Sequence, residues 1–186
     1  MNLQIRFDRG PQGRSAQFRA ARRVIVAETI ADIPAAFQDL DAARQDGFWV
    51  AGYVSYEAGF ALEPRLTPRM PTARRVPLIC FGVFDAPVDA DPLAAGPCGL
   101  GPFVPRWDDA RYGQAFSQLH DLIGAGDIYQ ANLTFPLDAT CTGGAEAIYA
   151  ALAARQPVGH GALVQQDGLP SLLSRSPELF FRTEAQ

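Results

Sequence analysis

Apolar residues recur along this chain with two spacings. Over residues 33–44 they fall at Ile33, Ala36, Phe37 and Leu40, one face of a helix. Asp32 can cap that helix, Pro34 suits its first turn and Gly47 ends it. A second helix is predicted from Asp108 or Asp109 to about Ile123. Its apolar face holds Tyr112, Ala115, Phe116, Leu119, Leu122 and Ile123, and Gly124 and Gly126 stop it. A third, alanine-rich helix is predicted over 145–155. Shorter apolar runs predict strands over 3–7, 24–27, 48–56, 78–84, 128–137, 162–166, 169–174 and 178–182. Asp167-Gly168 is a strong hairpin signal between two of them.

The segments between these elements are rich in turn-forming residues. Residues 8–14 form a Gly/Pro/Ser/Arg-rich turn, and 63–77 hold four prolines and four arginines. Residues 86–105 repeat that character as a surface connection. Strands and helices mix without a regular βαβ alternation, so the fold class is α+β with largely antiparallel sheets. An apolar final strand at 178–182 is a pairing edge that natural proteins usually cover. Either it is a tolerated edge or the sequence belongs to a longer protein, and the second is favoured.

Composition narrows the function classes. The 186 residues are 48% hydrophobic and 19% charged, which excludes disorder and allows a sizeable core. A sequence pI near 5.1 offers no general cationic field to nucleic acid. All 16 basic residues are arginine, so no lysine Schiff base or P-loop lysine can arise here. Three widely spaced cysteines without a CxxC pair argue against a disulfide framework or a zinc site, and point to the cytoplasm. No run is long enough for a secretory signal or a membrane span.

GxSxG, HExxH, Walker A and GxGxxG are absent. The two histidines lack metal-ligand spacing. His120, near the end of an amphipathic helix, reads as a surface residue, and His160 lies in a Gly-rich turn where a ligand contact is the minority reading. Two denser segments remain. Residues 52–59 read Gly-Tyr-Val-Ser-Tyr-Glu-Ala-Gly, a strand running into a turn, in which Tyr53 and Tyr56 alone would be core or cross-strand aromatics. In 124–134, Gln130, Asn132 and Thr134 alternate with Tyr129, Ala131 and Leu133. Three hydrogen-bonding side chains in a row form either a solvated sheet face or the polar wall of a site.

Gly-Asp-Ile-Tyr-Gln-Ala-Asn-Leu-Thr, together with the 52–59 segment and Ser176-Pro177-Glu178-Leu179-Phe180, resembles the chorismate-utilising enzymes. In order and spacing it most resembles the synthase subunit, component I, of aminodeoxychorismate synthases. The resemblance covers nearly the whole chain. It implies an N-terminal region over 1–105 and the start of a chorismate-binding domain over 106–186, truncated. It implies a transferase of folate and p-aminobenzoate biosynthesis that aminates chorismate at C4, with a glutamine amidotransferase subunit as partner and magnesium as cofactor of the intact enzyme.

Carried over by residue, the resemblance makes Gln130 and Asn132 substrate-binding. Relatives that add water to chorismate carry a lysine where Gln130 stands, and those that use ammonia carry glutamine. Water needs a base to take its proton, and a glutamine can only orient a nucleophile or substrate. Tyr53, Ser55, Pro157, His160 and Gly161 become effector-pocket candidates, the last three from a segment that departs from the tryptophan-binding pattern of anthranilate synthases. The catalytic residues and metal-binding carboxylates are expected beyond Gln186, so this chain alone would neither bind magnesium nor turn over chorismate. Anthranilate synthase component I and a non-catalytic amidotransferase-binding module stay open as alternatives.

Overall fold

The structure, a computed structural model, describes residues 2–183. Its strands and helices run β1 (Leu3–Phe7), β2 (Ala16–Phe18), β3 (Arg23–Ala27), α1 (Ile33–Gln45), β4 (Trp49–Val54), α2 (Ala58–Leu62), β5 (Ile79–Phe84) and β6 (Val88–Asp89). They continue with β7 (Gly99–Leu100), β8 (Val104–Pro105), α3 (Asp109–Ala125), β9 (Leu137–Asp138), β10 (Cys141–Thr142), α4 (Ala145–Arg155), β11 (Ala162–Gln166) and β12 (Leu172–Ser174). Strand pairings among the described residues are antiparallel, as the α+β reading expects. Contacts divide the chain into two compact units, one of residues up to Ala95 plus Ala145 onward, the other Gly96–Gly144.

The first unit is layered around β3-β5-β4. Ile25, Ala27, Ile79 and Val83 point to one face and pack on Ile33, Ala36, Leu40 and Ala43 of α1. Cys80, Phe84 and Ala51 point to the other and meet Leu3, Ile5, Phe18 and Val164 of the sheet β12-β11-β1-β2-β6. A sheet buried on both faces needs unbroken apolar runs, and Ile-Cys-Phe-Gly-Val-Phe in β5 is one. β1 is covered on its core face by Leu3 and Ile5, while Gln4 and Arg6 alternate outward.

Several elements differ from expectation. The helix predicted at 33–44 forms, but Asp32 does not cap it forward. Its carboxylate instead turns back to accept from the Glu28 and Thr29 amides and the Thr29 hydroxyl at 2.8–3.2 Å, a box around a preceding 3-10 turn. The strand predicted at 48–56 stops at Val54, and Ser55 to Glu57 turn into α2. β2 lies in the turn-rich stretch and is too short, at three residues, to show a period. Short pairings β6, β7 and β8 interrupt the 86–105 connection.

Two predicted strands are corrected outright. Residues 178–182 form none: the Ser176 hydroxyl accepts from the Glu178 amide and donates to its carbonyl, a local turn that competes with a ladder. Phe180 and Phe181 are left exposed. In 128–137 only Leu137 is paired, through β9 and β8, because the rest meets no neighbouring strand among the described residues. An alternating pattern supplies the faces of a strand, but the ladder needs a second chain segment.

The second unit gives helix α3 as read, with Asp108 as N-cap accepting from the Arg111 amide at 2.8 Å. Gly124 is helical, and Gly126 alone ends the helix. Its φ of 80° is the left-handed value a C-terminal cap requires. None of residues 96–144 is buried, so the apolar face of α3 is half-exposed at Tyr112, Phe116, Leu122 and Ile123. No helix among the described residues is long and apolar enough to cross a membrane.

These two environments predict unequal mutational costs. Phe84→Ala, at a fully buried position, is expected to cost about 3–5 kcal/mol in urea unfolding. Phe116→Ala is expected to change stability by less than about 1 kcal/mol.

Candidate functional site

Residues 126–138 leave α3 through its cap, where the Gly126 amide donates to Ile123 and the Asp127 amide to the Leu122 carbonyl. Downstream the segment is fixed by Arg106. Its guanidinium forks onto both Asp138 oxygens at 2.6 and 2.7 Å, while its amide donates to the Pro136 carbonyl at 3.0 Å. The Phe135 ring stacks on Trp107, centroids 5.6 Å apart, and meets Tyr112 edge-on. The Arg111 guanidinium lies over the Trp107 ring, 4.5 Å from its centroid.

Between these anchors, Gln130, Asn132 and Thr134 are exposed, and the Gln130 and Asn132 side chains have no hydrogen-bond partner among the described residues. Tyr129, on the supposed apolar face, is exposed as well. The segment thus presents two free carboxamides, groups that donate and accept but cannot take a proton. His120 is exposed and stacked on Phe116.

The five effector-pocket candidates lie in the first unit at two places. The Tyr53 hydroxyl donates to Gln166 Oε1 at 3.0 Å, and Gln166 Nε2 donates to the Pro170 carbonyl at 2.8 Å. Burial pushes the Tyr53 phenol up to about 12, with the Gln166 bond opposing. Burial likewise raises the Cys80 thiol, Tyr53's register partner on β5. Ser55 follows on the same chain run, its Oγ buried without a partner.

Gly161 and His160 sit at the opposite end of β11 from Gln166, roughly 16 Å away at strand rise. The His160 amide donates to the Ser176 carbonyl at 3.1 Å, and Pro157 is exposed. His160 lines an open groove of ≈ 590 Å³ with a floor of Phe7, Phe18, Trp49 and Phe81, and Arg9 beside it. Tyr53, Ser55, Pro157 and Gly161 do not line this groove.

Gly161 belongs to a buried cluster that no local pattern of residues could assemble. Arg175 Nη1 bonds the Asp8 carboxylate and the Tyr149 hydroxyl, and Nη2 donates to the Gln156 carbonyl at 2.8 Å. Burial works against the Arg175 charge, but the bonds to Asp8 and Tyr149 outweigh it and raise its pKa. Burial also pushes the Tyr149 phenol up to about 12, opposed by the Arg175 bond. A Cβ on Gly161 would run into Asp8 and lie 2.5 Å from both Arg175 Nη1 and the Tyr149 hydroxyl. The only hint in sequence is charge at Arg6 and Asp8 beside an apolar strand. Arg175, directly before Ser-Pro-Glu, is held by Asp8, at the far end of the chain, and by Tyr149 and Gln156.

Magnesium, the cation brought by the resemblance, finds no fitting site. Among the described residues no three His, Cys, Asp or Glu side chains gather as ligands, so no step is routed through it.

Two outcomes follow from this geometry. Phenolate absorbance is expected to show two of the five tyrosines, Tyr53 and Tyr149, titrating near pH 12. Because these folded-state values lie above the ordinary 10, their stabilisation is complete below pH 10 and lost as pH rises through 12, read as a falling Tm. Gly161→Ala is expected to cost about 1–3 kcal/mol in denaturant unfolding, since the buried cluster must shift.

No curated protein and no solved structure matches this chain. The model of a protein family described as chorismate binding enzyme matches residues 93–186, just over half of the chain. That stretch holds both the Gln130–Asn132 segment and Ser-Pro-Glu, and the chain belongs to the chorismate binding enzyme family.

Proposed function

We propose that the chain is the N-terminal part of an aminodeoxychorismate synthase component I. The intact enzyme would aminate chorismate at C4, using ammonia from a glutamine amidotransferase subunit, to give 4-amino-4-deoxychorismate for p-aminobenzoate and folate synthesis. The observation that carries this reading is Gln130, inside the family match, exposed and with its carboxamide uncommitted. Ammonia is already a competent nucleophile and needs orientation rather than deprotonation, which a carboxamide supplies. Asn132, two residues on, would contribute a second hydrogen-bonding group to the same wall. Magnesium, proposed as a cofactor of the intact enzyme, is assigned no ligand among the described residues.

Within this reading the anchored 126–138 segment presents groups to the substrate without performing acid–base chemistry. Tyr53, Ser55, Pro157, His160 and Gly161 are assigned to effector binding only as the resemblance implies, with His160 beside the aromatic groove.

The test uses the complete gene product with chorismate, ammonium and magnesium. The expected product is 4-amino-4-deoxychorismate, with turnover at least tenfold lower in Gln130→Ala and absent from the 186-residue chain alone. Anthranilate fluorescence would instead mark amination at C2 with loss of pyruvate, and would overturn the C4 assignment.

A further inference from the structure

The outer face of the sheet β12-β11-β1-β2-β6 carries a pocket of ≈ 210 Å³ unrelated to the groove and to Gln130. Strand alternation builds its floor. Leu3 and Ile5 point to the core, so Gln4 and Arg6 point outward, and the register sets Gln4 against Gln165 and Arg6 against Gln17. The 91–94 segment and Glu146, in the first turn of α4, complete the walls.

The polar groups here are not consumed by the fold. The side-chain amides of Gln4, Gln17 and Gln165 have no hydrogen-bond partner among the described residues, and Glu146 has no ion-pair partner. Arg6 donates from Nη1 to the Asp91 carbonyl, but its Nε is buried without an acceptor, Asp8 Oδ1 lying at 3.7 Å. Asp91 is already paired with Arg19 at 3.1 Å. What remains is the Arg6 guanidinium, one carboxylate and three carboxamides around a small space.

Size and charge select the ligand. The volume is below the range of about 300–1,000 Å³ typical of drug-sized ligands, so a large aromatic ligand does not fit. A dianion such as chorismate would bring a second carboxylate against the unpaired Glu146, with Arg6 able to answer only one of its charges. A zwitterion places its carboxylate by Arg6 and its ammonium by Glu146 and adds no net charge to the site. Three amides, each both donor and acceptor, suit a polar side chain. We propose that this pocket is a binding site for a small, polar, free α-amino acid, independent of chorismate chemistry.

The test is calorimetric titration and thermal shift of the 186-residue chain with L-serine, L-asparagine and L-glutamine. At least one is expected to bind saturably in the millimolar range and raise the Tm as its concentration increases. For L-serine the single-charge analogues are ethanolamine and N-acetyl-L-serine, and for each amino acid such analogues should bind at least tenfold more weakly. Glu146→Gln and Gln165→Leu should each weaken binding at least tenfold while leaving the ligand-free Tm unchanged. If Gln165→Leu does not fold, Gln4→Leu, its register partner, provides the same reading. No saturable binding at 50 mM, equal binding of the single-charge analogues, or full affinity in the variants would overturn the proposal.

Discussion

The first unit depends on burying β5 on both faces. Its six residues run down the middle of a three-stranded sheet, with α1 against one side and β1, β2 and β11 against the other. A strand in that position has no solvent face, so every side chain must be apolar, small or paired. Cys80 and Phe84 meet one layer, Ile79 and Val83 the other, and Gly82 leaves room for the Phe84 ring. Burial of this kind scales with apolar area and needs no directional partner, which is why the layers hold although the chain connecting them is turn-rich.

Polar interactions then fix what burial leaves undetermined. Arg175 ties the end of β1, the middle of α4, the chain after α4 and the start of β11 through Asp8, Tyr149, Gln156 and the space left by Gly161. A partly buried ion pair adds little net stability, but it tolerates few alternative arrangements. It therefore specifies where the chain entering Ser-Pro-Glu begins. Gly96–Gly144 is organised differently, by an N-cap, a left-handed C-cap, a forked Arg106–Asp138 pair and a run of ring contacts, with no buried residue.

Much of the local structure was legible because it rests on short-range physics. Asp108 and Gly126 bound α3 through bonds spanning at most four or five residues, and the Asp167-Gly168 turn closes β11 onto β12. The helix at 33–45 was visible in its 3.6-residue period. The candidate site was legible in part. Gln130 and Asn132 could be singled out by alternation and resemblance, but their exposure and freedom from partners could not. The strand assigned to 128–137 fails because pattern describes one strand and a ladder needs two, and that at 178–182 because the Ser176–Glu178 turn competes with a ladder.

By itself, then, the sequence determined the extents of the helices at 33–45, 109–125 and 145–155 to within two residues and the hairpin, each written in neighbouring residues, and its separated motifs carried the likeness to a chorismate binding family. Only the tertiary structure decided which strands find partners and where Asp32 points. It also decided that Tyr53 bonds Gln166 and that Arg175 gathers Asp8, Tyr149 and Gly161. Two of those choices, Tyr53 with Gln166 and Asp8 with Arg175, join residues more than a hundred positions apart. Their energies come from burial and hydrogen bonding that exist only once the layers have closed.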